Sequence, residues 1–138
     1  MFVDASAIIA ILCEEPSGPA LAKALDAKKT SKVASVLAVW EAAVGLRRKK
    51  QLSTADAEGL VRDFLEAARV EMIGIAADEL SLAVRAYDRY GRHRYPDAER
   101  NKALNMADCF HYACAKARRA PILHNDVGLA LTDARSAL

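Results

Sequence analysis

Three carboxylates, Asp4, Glu41 and Asp108, each sit inside a largely apolar run of the chain. Asp4 lies between Met1-Phe2-Val3 and a stretch reaching Leu12, Glu41 within Val36 to Val44, and Asp108 within Ala103 to Ala113. Taking a lone carboxylate out of water costs several kcal/mol unless it is paired or bound to a cation. No Lys or Arg adjoins Asp4 or Asp108 in sequence, so a shared cation is the economical partner. Clusters of oxygen ligands suit Mg²⁺ or Mn²⁺.

Each acid also has a simpler reading. Asp4 is a favoured type for capping a helix, a role for which Ser6 competes, and Glu41 is placed to pair with Arg48 or an upstream Lys. Asp108 is hardest to explain as a surface group because apolar residues surround it on its helix. His111, one turn later, reads as an ordinary partly buried histidine or as a group that touches substrate. Asp126 and Asp133 compete for a fourth acidic place, with Asn125 available to orient a carboxylate or a water. Clusters such as Arg47-Arg48-Lys49-Lys50 and the cations between Arg92 and Lys102 are solvated faces by default. Beside an acidic pocket they suggest phosphate contacts.

The elements that must position these groups follow from pattern and punctuation. Phe2-Val3 opens a strand, Ser6 starts a helix to about Cys13, and Pro16 to Pro19 breaks it before a second helix to about Ala27. Lys32 to Ala34 is a minimal strand, after which Ser35 caps a helix whose apolar stripe is Val36, Val39, Trp40, Ala43 and Leu46. Ser53 and Asp56 have capping spacing ahead of a helix to about Ala68. Val70 to Ile75 alternates as a strand, Asp78-Glu79 opens a further helix, and Gly91 ends it. Arg92 to Lys102 reads as a polar, mobile loop. A helix apolar all round runs from Ala103 to about Arg118, and Pro121 to His124 is a last strand leading to Asn125-Asp126.

Strands alternating with helices imply an α/β domain with a mostly parallel sheet, one unit over residues 1–138, whose ligands gather outside the carboxyl ends of the strands. Asp4 and Asp126 both follow strands and therefore share a rim. At 138 residues and 53% hydrophobic composition the chain can bury a substantial core. Net charge of +2 neither demands nor excludes nucleic acid. Three cysteines without C-x-x-C spacing argue for reduced thiols in the cytoplasm and against structural zinc. The first apolar run is too short for a membrane span.

Asp4-Ala5-Ser6 after the first strand, Glu41 in the second major helix, and Leu104-Asn105-Met106-Ala107-Asp108-Cys109-Phe110 near the end resemble the PIN domain, and more closely its VapC-type toxins of bacterial toxin-antitoxin pairs. The resemblance spans essentially the whole chain, and Asn-x-x-Asp-Cys-Phe is its most specific part. It implies a three-layer fold with a central sheet between helices, and an endoribonuclease that uses Mg²⁺ or Mn²⁺. Asp4, Glu41 and Asp108 would form the pocket, with Asp4 and Asp108 as metal ligands and Ser6 supporting the first acid. His124-Asn125-Asp126-Val127 departs from the family pattern, which shows a Gly before the fourth acid and a Phe after it. The fourth role is carried to Asp126 because it directly follows the last strand. The resemblance also implies an RNA substrate, a small VapB-like antitoxin that blocks the pocket, and pairing of the domain with itself.

Phosphodiester hydrolysis needs a nucleophilic water, charge relief at the transition state and a stabilised leaving oxygen, all within the reach of carboxylate-held divalent metal. Two rivals stand beside this reading. A phosphatase with Asp4 as covalent nucleophile would be expected to carry a second acid two residues on, where this chain has Ser6. A catalytically inactive PIN-like module would bind RNA or protein without turning anything over.

Overall fold

The computed structural model describes residues 1–138. Four strands, β1 (Phe2–Val3), β2 (Val33–Ser35), β3 (Glu71–Ile73) and β4 (Ile122–Leu123), form one sheet in the order β3-β2-β1-β4. Every pairing is parallel, with Phe2 opposite both Val33 and Ile122. Such a sheet must be covered on its faces, and the helices that do so fill the chain between strands. They are α1 (Ala5–Leu12), α2 (Gly18–Ala27), α3 (Val36–Lys50), α4 (Thr54–Ala68), α5 (Leu80–Tyr90), α6 (Met106–Ala117) and the short α7 (Val127–Ala130). The α/β architecture with helices flanking a parallel sheet is the one expected, and the sheet is parallel throughout. No helix is long and apolar enough to cross a membrane.

β1 is the centre of the arrangement. Phe2 and Val3 are fully buried, and the core around them includes Ile8, Leu21, Leu46, Ile122, Leu123 and Leu129. α6 packs on β1 and on both α3 and α5, which accounts for its apolar character all round. α1 packs against α3 closely enough that a Cβ at Gly45 would lie 2.5 Å from the Ile9 Cδ1. The absence of a side chain at Gly45 lets the Glu41 end of α3 approach the start of α1.

Four local expectations are revised. Helix α1 begins at Ala5 with Asp4 as its cap, accepting from the Ser6 backbone N–H, so Ser6 is not the cap. On α3 the buried face is Ala38, Val39, Ala42 and Leu46, whereas Val36 and Trp40 face outward. Small alanines carry the close contact there, and the large side chains that dominate a hydrophobic count do not. Helix α6 starts at Met106, three residues later than its apolar run, because Asn105 caps it. The Arg92 to Lys102 segment is folded into two 3₁₀ turns, Arg92–Arg94 and Asp97–Lys102. The caps Ser35 and Ser53 stand as read, each accepting from the backbone N–H three residues on.

Candidate metal centre

The last residues of β1, the first turn of α6 and the middle of α3 meet outside the carboxyl end of the sheet. Asp4 leaves β1 at that end and is 2% exposed. Its Oδ2 accepts from the backbone N–H and the hydroxyl of Ser6, and its Oδ1 accepts from His111 Nδ1 at 2.6 Å. The Ser6 hydroxyl in turn accepts from the Asn125 backbone N–H at 2.9 Å, tying the loop after β4 to the start of α1. Ser6 thus holds the Asp4 carboxylate through two hydrogen bonds. Asn125 acts through its backbone, its side chain being turned to Glu15 at 3.3 Å.

Asp108 is 8% exposed and sits in a reciprocal cap. Asn105 Oδ1 accepts from the Asp108 N–H at 3.0 Å while Asp108 Oδ2 accepts from the Asn105 N–H at 2.8 Å. This pairing fixes the carboxylate and leaves Asp108 Oδ1 uncommitted to that cap. Asn105 lines the cavity with the acids, a role that reading α6 from Ala103 concealed. The signal was nevertheless present, since Asn three residues before an acid is cap spacing.

Ligand atoms of Asp4, Asp108 and His111 lie within 4.8 Å of one another, close enough to hold a metal ion. Glu41 and Asp126 line the same cavity of about 430 Å³ together with Ser6, Trp40 and Arg48. Asp126 caps α7 through an Oδ1 that accepts from Leu129 N–H at 2.8 Å. Asp133 lies elsewhere: it accepts from the Tyr112 hydroxyl at 2.5 Å and pairs with Lys116 and Arg89. The fourth acid brought to the cavity is thus Asp126.

His111 is no ordinary partly buried histidine. It is wholly buried, between Asp4 and Glu41, with Nε2 3.6 Å from Glu41 Oε2 and without a hydrogen-bond partner. Its position three residues beyond Asp108 on a helix put both on one face, which was legible, but its bond spans 107 residues and was not.

The electrostatics separate the acids. Burial alone would raise the Asp4 carboxyl, but the hydrogen bond and charge of His111, with the Ser6 bonds, hold it below the usual carboxylate range. Burial likewise opposes the imidazolium, yet Asp4 and the neighbouring acids raise the His111 pKa. The two form an ion pair. Burial raises Glu41, with Asp4 and Asp126 adding to the effect against His111. Asp108 is pushed up to about 7, chiefly by burial and further by Asp126 and Asp4, against the Asn105 bond and His111. The third buried acid gives the contrast. Glu79, also 2% exposed, is paired with Arg118 and held below its ordinary value despite burial. Glu79 has an arginine of its own; Asp108 has no Lys or Arg partner and feels only the His111 charge that Asp4 already holds.

The donor set fits a divalent ion. Hard carboxylate oxygens converge from separate elements, their orientations are set by Ser6, His111 and Asn105, and one buried acid lacks a Lys or Arg partner. The basic segment from Arg92 to Lys102 contributes less free charge than its composition suggests. Arg94 pairs with Asp88, Arg100 with Asp97 and Lys102 with Glu99.

A parallel α/β sheet with acids gathered beyond its carboxyl end is the form of the PIN domain, whose family model matches residues 1–134. The chain belongs to the PIN-domain family, in its VapC group. It is 33% identical to a protein named Ribonuclease VapC of Mycolicibacterium smegmatis, with 96% of each chain covered. It is also 33% identical to a VapC ribonuclease of Rhizobium meliloti, covering 96% of this chain and 97% of that one. The crystal structure of Mycobacterium tuberculosis VapC20, described as a sarcin-ricin loop cleaving toxin, superposes with a TM-score of 0.68 at 14% identity. That likeness covers 96% of this chain and 95% of the other and concerns the fold.

Proposed function

We propose that residues 1–138 form one metal-dependent endoribonuclease domain, the toxin of a type II toxin-antitoxin pair, using Mg²⁺ or Mn²⁺. The observation that carries this reading is the convergence of Asp4 and Asp108 with no Lys or Arg to answer Asp108. The VapC ribonucleases to which the chain is similar over nearly its whole length support the substrate class.

Asp4 and Asp108 would hold the ion, and Glu41 and Asp126 would position further waters or a second metal. When bound, a divalent ion would supply charge relief at the phosphate and acidify water near it. Ser6, Asn125 and Asn105 keep the carboxylates from rotating, so little reorganisation remains when RNA arrives. His111 donates from Nδ1 to keep Asp4 ionised. Glu41, raised by burial and more open than Asp4, is suited to take a proton at its carboxylate from the attacking water.

The toxin reading brings with it a cytoplasmic location, a VapB-like antitoxin that covers the cavity, and a homodimer. An apolar groove of about 650 Å³ between α5 and α6, flanked by the exposed Leu80, Val84, Tyr87 and Met106, supports self-association. The test is to incubate purified protein with structured and single-stranded RNAs in Mg²⁺ or Mn²⁺, then in chelator, and map the cut sites. Cleavage that stops in chelator is expected. Binding without cleavage across the panel would favour an inactive binding module instead.

A further inference from the structure

The chain has a single tryptophan, Trp40, and it is 61% exposed. An indole offers a large apolar face and is normally covered, so one left open at the mouth of a polar cavity invites a ligand with a flat face. Trp40 precedes Glu41 on α3 and lines the same cavity as Asp4, Glu41, Asp108 and Asp126. Four and eight residues further along the helix, Val44 and Arg48 continue the row down the same face, and both also line that cavity. Arg48 is exposed and forms no salt bridge, although acids lie across the cavity and its neighbour Lys49 pairs with Glu15. An aromatic face, a short apolar step and an unpaired guanidinium in one line match the base, ribose and phosphate of a nucleotide.

We propose that Trp40 and Arg48 form a nucleotide subsite beside the acidic cavity, in which an unpaired RNA base stacks on the indole and the adjoining phosphate pairs with the guanidinium. The inference rests on the ribonuclease reading and adds to it how single-stranded substrate is held. Trp40 also borders an apolar groove with Val36, Val39 and Met72. A helix docking there would leave Arg48, which does not line that groove, without a role. The last turn of α3, Arg47 to Lys50, is wholly basic, which favours a polyanion running along the helix towards the acids.

Because Trp40 is the only tryptophan, its fluorescence reports this subsite without labelling. Unlabelled single-stranded RNA is titrated into the Asp108→Asn protein in Mg²⁺, where the strand stays intact, while anisotropy of an end-labelled copy reports binding separately. A second RNA carries abasic ribose at successive positions. Stacking predicts that fluorescence is quenched as RNA binds and that one abasic position abolishes the quench. In the same background Trp40→Ala should weaken binding about tenfold, as loss of one base–aromatic stack does, while Trp40→Phe retains most of it. Arg48→Gln should lower the salt dependence of binding by about one phosphate contact. RNA that binds with no quench, or with a quench indifferent to missing bases, overturns the subsite and leaves the indole to a protein partner. RNA that does not bind at all overturns the ribonuclease reading and the subsite with it.

Discussion

Asp108 and His111 bind protons more tightly in the folded chain than in the unfolded one, and that sets how stability depends on pH. The Asp108 carboxyl rises from an ordinary 3.8 to about 7, and Glu41 and His111 are also raised. Between these limits the folded state holds more protons than the unfolded state, so stability falls as pH rises. Asp4 and Glu79 are lowered and act in the opposite sense, but only below the ordinary carboxylate range. In chelator, the melting temperature should therefore decline by several degrees from pH 5 to pH 7.5. A rising curve over that interval would contradict the assignment. The His111 bond to Asp4 gives a second test at this scale. His111→Ala leaves a buried carboxylate unanswered and should cost about 3 kcal/mol in denaturant unfolding, whereas His111→Asn, which can still donate from the Nδ1 position, should lose markedly less. Equal losses would mean that volume, and not the hydrogen bond, is what His111 contributes.

Helix ends do most of the positioning. Asp4 caps α1, Asn105 and Asp108 cap α6 together, and Asp126 caps α7, so the residues that start three helices also line the acidic cavity. Capping and ligation are compatible because a cap uses one carboxylate oxygen: Asp108 Oδ1 lies outside its cap, and Asp4 Oδ1, which takes the single His111 bond, keeps a second lone pair. The 3₁₀ turn Ala77–Glu79 ahead of α5 is tied to the end of α6 by Glu79 and Arg118, away from this cavity. Arg118→Ala should cost about 3 kcal/mol of stability, since it strands a buried charge, yet leave metal affinity in the surviving folded protein unchanged. Calorimetric titration with Mn²⁺ would check the second half. Several of these ends were legible from sequence: Ser35 and Ser53 carry cap residues at the right spacing, and apolar runs around Asp4, Glu41 and Asp108 mark them as out of place on a surface. The face of α3 was not legible. Residue type alone ranks Trp40 above Ala38 and Ala42 for burial, but the close approach of α1 at Gly45 admits only small side chains, and Trp40 turns outward. His111 escaped for a different reason, because its partner arrives from the far end of the chain.

At the scale of the whole molecule, the parallel sheet brings together acids contributed by β1, α3, α6 and the segment after β4. Their mutual repulsion opposes folding until a cation arrives. Mg²⁺ or Mn²⁺ at a hundred times its dissociation constant should stabilise the fold by about 2.7 kcal/mol, seen as a melting temperature several degrees higher. No shift at millimolar metal would argue against a shared ion. The measurement to make first is the single-turnover rate of RNA cleavage by wild-type protein and by Asp108→Asn at saturating Mg²⁺ or Mn²⁺, with folding of the variant verified by circular dichroism. A carboxylate-held metal nuclease should lose at least about a hundredfold in rate on that one change, as loss of a principal charge-stabilising group does. A variant that cuts the same sites within threefold of wild type would show that the chemistry does not pass through Asp108.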